Sequence, residues 1–297
     1  MVLGRQRGLW WDAWRRLIKN RLAMFGLIAI CVIAFVAFLG PHLGVLGRYG
    51  PNDQNYDPAV KQLGPTANHW LGTDQLGRDM WARTLEGLRI SLQIGLGTQV
   101  LVLALGLLVG AGAALGGKLT DNLLMRVTDV MYAFPDLIFI ILMRSILTGR
   151  DIPVLTNQKI LIIVAIGMIQ WTTIARLVRG QMLSLGERDF VLAAQALGAP
   201  RWRIVVQHML PNTLGPVIVA ITFGIPVAIF AEAALSFIGF GVPPPAASLG
   251  TLVSIGYTTI QRNVWNVIPP AAAVALLMLC FTFLGDGLRD ALDPRTR

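Results

Sequence analysis

Six mostly apolar stretches, each of about 20 residues, limit what this chain of 297 residues can fold into. A helix of that length crosses the hydrocarbon core of a bilayer, which is roughly 30 Å thick. A soluble domain carries about a quarter charged residues, whereas this chain has 14% charged and 55% hydrophobic residues. The sequence therefore predicts an all-α, polytopic membrane protein with six transmembrane helices. The predicted spans are residues 22–40, 91–116, 123–147, 159–178, 213–235 and 265–285.

The distribution of basic residues predicts the orientation of these spans. Lys and Arg accumulate in the cytoplasmic loops of membrane proteins, and most of the 25 Lys and Arg residues fall on one side when six spans alternate. Both termini lie on that side, so we expect both termini to be cytoplasmic. Because this rule accounts for the basic excess, the net charge of +9 gives no reason to expect nucleic-acid binding.

Three segments differ in pattern along the chain. Residues 1–21 are predicted to be a cytoplasmic amphipathic segment, because a cluster of tryptophans is interleaved with Arg and Lys, as in helices that lie on a membrane surface. Residues 22–65 hold the first transmembrane helix and the start of a long external loop. Residues 66–297 contain the other five spans.

Glycines repeat every four residues in the second predicted span. The pairs are Gly106 with Gly110 and Gly112 with Gly116. Such spacing lets two helix backbones approach closely in lipid, where apolar side chains alone provide little drive for association. We therefore expect this span to pack tightly against another span or against a partner chain.

A polar, basic insert separates the fourth and fifth predicted spans. Ser184 and Glu187 have the spacing of a capping box, which would begin a helix that runs to Leu197. Gly198 can take the left-handed conformation that ends a helix, and Pro200 prevents the helix from continuing. The first half of the insert is therefore predicted to be a short helix that ends in a tight turn.

A second short helix is predicted over residues 201–210, ending at Leu210 and Pro211. It would expose Arg201 and Arg203 to solvent. The apolar side chains expected to cover a neighbouring surface are Trp202, Val205, Val206 and Met209. A compact helix-turn-helix on the cytoplasmic side is suited to docking a soluble, nucleotide-hydrolysing partner.

Ionisable side chains at membrane depth are candidates for a transport pathway, because a charge inside a bilayer is costly and rarely kept without a role. Glu232, near the outer end of the fifth span, is the first candidate. The other candidates are Asp129, Asp136 and Arg144 in the third span. Structural pairing explains these residues equally well, and for Glu232 a folding role is the alternative. Pro135 and Pro226 can bend their helices and free backbone carbonyls toward a cavity.

The insert resembles the cytoplasmic loop of permease subunits of ATP-binding-cassette importers, whose pattern is Glu-Ala-Ala, then Gly, then Ile-x-Leu-Pro. The matching residues are Ala193, Ala194, Gly198, Leu210 and Pro211, whereas Leu192 replaces the usual Glu and His208 the usual Ile. The resemblance implies that residues 189–212 couple the chain to ATPase subunits. The coupling residues implied are Ala193, Ala194, Gly198, Arg201, Arg203, His208, Leu210 and Pro211.

Three further stretches narrow the resemblance. Residues 69–92, 235–245 and 285–295 are similar to segments of the C-type permease of dipeptide, oligopeptide and nickel importers. The resemblance implies a permease core over 66–297, in the inner membrane of a bacterium, that forms half of a peptide pathway. It also implies a heterodimer with a related permease, two cytoplasmic ATPase subunits that bind ATP and magnesium, and an extracytoplasmic binding protein docked on residues 41–90 and 237–262.

The sequence offers no sign of a catalytic, cofactor or metal site in this chain. Its three histidines are dispersed, and Cys31 and Cys280 lie in separate apolar runs. Residues 112–118 nearly spell a phosphate-binding loop, but Leu119 stands where Ser or Thr is needed for magnesium. Two alternatives stay open: uptake of nickel, metal chelates, glutathione or opines on the same scaffold, and a stand-alone secondary transporter, which predicts repeated halves.

Overall fold

The computed structural model describes residues 9–148 and 157–293, and this part of the chain is helical, with only one isolated β-bridge, between Thr73 and Asp79. The prediction of an all-α membrane protein is confirmed. The helices are α1 Leu9–Lys19, α2 Arg21–Leu39, α3 Met80–Leu115, α4 Gly117–Ala133, α5 Asp136–Leu147, α6 Gln158–Gly186, α7 Asp189–Ala196, α8 Arg201–Ile204, α9 Leu210–Phe237, α10 Leu249–Tyr257 and α11 Ile268–Leu292. Residues 1–8 of the predicted amphipathic segment lie outside the described residues.

Five helical runs in the described residues are long and apolar enough to cross a membrane: α2, α3, α6, α9 with the residues leading into it, and α11. The bent pair α4–α5 meets the same criterion only when its two helices are taken together, and counted as one broken span it gives the six that the sequence predicts. The prediction of a single helix over 123–147 is wrong, because α4 and α5 meet at an angle of 97°. Phe134 has extended backbone angles, as expected for a residue before proline. Helix α5 then starts directly after Pro135, in a new direction.

The centre of the subunit is the packing of α6 against α3. A Cβ atom at Gly106 would lie 2.5 Å from Ile174 Cγ2, and one at Gly110 would lie 2.5 Å from the Ala175 carbonyl oxygen. The expected close approach of the glycine-rich span is therefore confirmed, with α6 as its neighbour. Helix α9 packs beside both α3 and α6.

The two described ends of the chain lie together. Leu17 of α1, Ala23 of α2 and Ala291 of α11 form a small buried cluster, and Arg16 Nη1 donates a hydrogen bond to the Asp293 carbonyl oxygen at 3.3 Å. Since successive spans alternate in direction, the insert after α6 is at this same end. We call it the terminal end.

The opposite end is covered by two long connections, residues 40–79 and 238–267. A buried ion pair and a side-chain hydrogen bond organise the first: Arg78 Nε lies 2.7 Å from Asp74 Oδ2, and His69 Nδ1 lies 2.8 Å from Asp79 Oδ2. Asn263 Nδ2 donates to the Leu63 carbonyl oxygen at 2.9 Å, which ties the two connections together. The long loop expected from the sequence is therefore a folded cap.

Candidate functional site: the insert and a membrane groove

The turn of the insert, residues 189–212, is built on one glycine. Gly198 has φ +75°, and its N–H donates to the Gln195 carbonyl oxygen at 2.9 Å. The next N–H, that of Ala199, donates to the Ala194 carbonyl oxygen at 3.0 Å. This is the hydrogen-bond pattern by which a left-handed glycine ends a helix. The predicted glycine turn is therefore present.

The predicted start of the first insert helix is wrong. Ser184 lies inside α6, which continues to Gly186, and Glu187 follows its last residue. Helix α7 begins only at Asp189, and no side chain caps it. Extending an existing helix adds one hydrogen bond for each residue fixed, whereas starting a new one is costly. The long helix α6 therefore absorbs the residues that resemble a capping box.

The predicted end of the second insert helix is also wrong. The chain passes from α8 through a π-helical turn, Val205–Met209, directly into α9. Pro211 follows the π turn almost directly, in the first turn of α9. The wider π turn immediately before it relieves the clash between the proline ring and the preceding carbonyls. The second helix of the insert is therefore continuous with a transmembrane helix.

The inner face of the insert is fixed to the membrane helices. Val191, Ile204 and Met209 are buried in one apolar cluster with Val178 of α6 and Val217 of α9. Close-packed interiors transmit displacement because they hold few voids. A force on the insert would therefore reach α6 and α9 directly.

The outer face of the insert exposes large apolar side chains. Leu197 is 88% exposed and Trp202 is 75% exposed. The expectation that apolar side chains of the second insert helix cover a neighbouring surface is confirmed for Val205 and Met209, which are buried, and wrong for Trp202 and Val206, which are exposed. Phe190 and Leu192 are also exposed. The predicted coupling residues on this face that are exposed are Ala193, Gly198, Arg201, Arg203, His208 and Pro211, whereas Ala194 and Leu210 are half-buried. An apolar patch rimmed by charges is typical of a protein–protein contact.

A second candidate site is a cavity of about 320 Å³ in the membrane-spanning part. It lies between α3, α6, α9 and the bend that joins α4 to α5, and we call it the groove. Its lining includes Gln99, Tyr132, Asp136, Gln170, Thr173 and Phe223. Thr173 and Asp136 are exposed, so the groove opens on the surface of the subunit.

The structure places two of the predicted pathway residues at or beside the groove. Asp136 lines it as the first residue of α5. Asp129 Oδ1 lies 3.2 Å from Arg176 Nη2, and the Arg176 guanidinium carbon is 4.3 Å from the centre of the Tyr132 ring. Asp129 therefore belongs to a contact that joins α4 to α6. It lies three residues before Tyr132, which lines the groove.

Arg144 lies away from these residues. Its Nη2 is 3.5 Å from Gln158 Oε1, a long hydrogen bond that joins α5 to the start of α6. It does not line the groove. This contact with the Gln158 amide fits the structural pairing that the sequence left as the alternative.

Glu232 does not reach the groove. Its side chain is 0% exposed, and it accepts hydrogen bonds from Ser236 at 2.6 Å and from Ser91 at 3.2 Å. Ser236 in turn contacts Ser248, the residue that caps α10. This enclosed position favours the folding role that the sequence left as the alternative. Any contact between Glu232 and a substrate stays a prediction.

Sequence reasoning missed two neutral residues of the groove, Gln99 of α3 and Gln170 of α6. Both are neutral, whereas the predicted pathway residues are all charged. An amide in an otherwise apolar span is a weaker signal of the same kind, since it also must find partners in the membrane. These two glutamines find each other: Gln99 Nε2 donates to Gln170 Oε1 at 3.2 Å.

Known proteins resemble this chain over almost its whole length. Residues 103–297 match the family described as the binding-protein-dependent transport system inner membrane component, and residues 8–65 match the N-terminal TM domain of oligopeptide transport permease C. The oligopeptide transport system permease protein OppC of Bacillus subtilis is 41% identical, over 97% of this chain and 90% of the relative. The dipeptide transport system permease protein DppC of the same organism is 40% identical, over 96% and 86%.

Two further comparisons agree. OppC of Haemophilus influenzae is 39% identical over 98% of this chain and 90% of the relative. Among solved structures, the MetNI methionine ABC transporter in inward-facing conformations matches with a TM-score of 0.57 and 21% identity, over 72% of this chain and 98% of that chain. That likeness concerns the fold alone. From the matched region and the full-length relatives, the chain belongs to the family of binding-protein-dependent transport system inner membrane components.

Proposed function

We propose that this permease forms one half of a peptide pathway in an ATP-driven importer, with a related permease as the other half. Three relatives are oligopeptide or dipeptide transport permeases. The observation that carries the mechanism is the uninterrupted helical run from the insert, through the π turn, into α9. Helix α9 supplies one wall of the groove, so movement of the insert moves the pathway.

The coupling partners follow from the two ends of the molecule. The exposed apolar face of the insert fits a cytoplasmic ATPase subunit, which binds the ATP and magnesium that drive transport. The folded cap at the opposite end, residues 40–79 with 238–267, fits the binding protein that delivers the peptide. The terminal end is therefore cytoplasmic in this proposal, in agreement with the basic residues that accumulate there.

The second permease is needed to cover the open side of the groove. Asp129, Asp136 and Thr173 are exposed on this subunit, and polar side chains facing hydrocarbon are costly. A related subunit opposite the groove would enclose a water-filled pathway between the two chains. When the ATPases close, the insert would carry α9 toward or away from this pathway, which gives access from one side at a time.

Family membership sets aside the stand-alone secondary transporter, whereas nickel, metal-chelate, glutathione or opine uptake stays the alternative within the family. The test is to co-express the chain with the neighbouring genes of its operon, purify the complex and reconstitute it in liposomes. We expect peptide-loaded binding protein to stimulate ATP hydrolysis and peptide uptake. Stimulation by nickel without peptide would identify nickel as the substrate in place of peptides. The absence of any co-purifying ATPase would contradict the proposal of an ATP-driven importer.

A further inference from the structure

The contact between Gln99 and Gln170 lies near the middle of two membrane-spanning helices. Gln99 is close to the centre of α3, Met80–Leu115, and Gln170 is close to the centre of α6, Gln158–Gly186. Both line the groove. Gln99 is only 4% exposed, so its amide is held between the helices with one edge at the cavity.

Each amide retains hydrogen-bonding capacity that no protein group uses. A glutamine side chain has an acceptor oxygen and an NH₂ group with two hydrogens. Their mutual bond uses the oxygen of Gln170 and one hydrogen of Gln99, and no other side-chain hydrogen bond of either residue occurs within residues 9–148 and 157–293. The oxygen of Gln99 and the NH₂ group of Gln170 are left. Both atoms are accessible from the groove, so a polar group that enters the groove can form hydrogen bonds with them.

The opposite wall of the groove is apolar and shaped around the amide. Phe223 and Val227 of α9 line that wall. A Cβ atom added at Gly224 would overlap the side-chain oxygen of Gln99. Gly224 therefore keeps open the space that this amide occupies. One wall offers an acceptor and a donor, and the other offers apolar surface.

We propose that Gln99 and Gln170 form a mid-membrane binding site for a peptide group of the passing substrate. The Gln99 oxygen accepts the substrate N–H, and the Gln170 NH₂ group donates to a substrate carbonyl, while side chains of the substrate face α9. Neutral amides recognise the backbone that all peptides share without selecting for charge. This inference rests on the proposed function, because it requires the groove to be the peptide pathway.

The test uses the reconstituted complex with saturating binding protein loaded with trialanine, and it measures peptide delivered per ATP hydrolysed. Gln99→Leu and Gln170→Leu should each lower this ratio about fivefold, equivalent to about 1 kcal/mol. The double variant should be hardly worse than either single variant, because the two amides act as a unit. Gly224→Ala should behave like Gln99→Leu. Gly215→Ala on the same helix, where a Cβ meets nothing within 4 Å, is the matched control.

A second substrate separates backbone recognition from a general effect on the pathway. A trialanine methylated on both peptide nitrogens has no peptide N–H for the Gln99 oxygen, so Gln99→Leu should no longer reduce its delivery, at equal loading of the binding protein. An equal reduction for both substrates would overturn the proposal. So would an unchanged ratio in all variants, or loss of the second permease from the Gln99→Leu complex, which would make the pair a subunit contact. Absence of peptide uptake by the wild-type complex would instead reject the proposed function.

Discussion

At the scale of single residues, two positions are set by local physical constraints that the sequence reveals only in part. Gly198 has a left-handed backbone, and a glycine two residues before a proline indicates such a helix end in the sequence. The environment of Glu232 depends on Ser91, which is far away in the chain. A carboxylate in an apolar span could therefore be found from the sequence, but whether it faces a cavity or a set of hydroxyl groups could not.

Replacing Gly198 should weaken coupling and leave the membrane helices intact. An L-residue with φ near +75° is strained, and we expect Gly198→Ala to destabilise the turn by about 1–2 kcal/mol. A Cβ at this position meets nothing within 4 Å, so the cost is conformational and does not come from a clash. The measurement is ATP hydrolysis stimulated by peptide-loaded binding protein in the purified complex. We expect this stimulation to fall in Gly198→Ala.

Gly180→Ala provides the matched control for this prediction. A Cβ at Gly180 also meets nothing within 4 Å, but the residue is helical within α6, where alanine is favoured over glycine. Equal stimulation in both variants and in the wild type would show that the left-handed turn has no part in coupling.

The two roles left open for Glu232 make different predictions. If the side chain holds the corner between α3, α9 and α10, Glu232→Ala leaves buried serine hydroxyls without their acceptor and should lower the free energy of unfolding by about 2–4 kcal/mol. Glu232→Gln keeps one acceptor oxygen and should cost clearly less. Thermal unfolding of the purified complex measures both. A pathway role predicts the reverse: unchanged unfolding, with a changed preference for cationic peptides in Glu232→Gln.

At the scale of elements, the sequence identifies the helices better than their ends. The third predicted span is divided because Pro135 fixes a sharp bend, and α6 and α9 both extend beyond the apolar stretch that predicts them. Hydropathy detects only the part of a helix that lies in lipid, whereas the helix itself continues as long as packing supports it. The second half of the insert is therefore a direct extension of α9, which hydropathy alone does not show.

The π turn before α9 should set the orientation of the insert relative to the membrane. Pro211→Ala removes the ring that opposes regular α-helical hydrogen bonding. If Val205–Met209 then becomes α-helical, α8 turns by about 100° relative to α9, the rotation of one residue. We expect normal assembly but reduced peptide-dependent ATP hydrolysis. Pro216→Ala, at the other proline in the first half of α9, is the control and should retain coupling. A fully coupled Pro211→Ala complex would contradict this role.

At the scale of the whole molecule, the sequence predicts the number of spans and the docking insert but not the groove. The groove combines residues from α3, α4, α5, α6 and α9, and no pattern along the chain shows which faces of these helices meet. Gln99 and Gln170 are 71 residues apart, so their contact appears only once the glycines of α3 have brought that helix against α6. The groove is thus a property of packing rather than of any one motif.

Alternating access predicts that water reaches the groove in one state and is excluded in another. A cysteine at Thr173, which is exposed in the groove, should react with a water-soluble maleimide applied from the cytoplasmic side of inside-out vesicles. Thr172, adjacent in sequence but 2% exposed, provides the control: Thr172→Cys should stay unreactive. Cys31 is exposed and is replaced by alanine in both variants.

Trapping the ATPases with vanadate should slow the reaction of Thr173→Cys about tenfold, a shift of about 1.4 kcal/mol in the equilibrium between the two states. If Thr173→Cys is as unreactive as Thr172→Cys in every state, lipid or protein fills the groove, and the peptide must cross elsewhere.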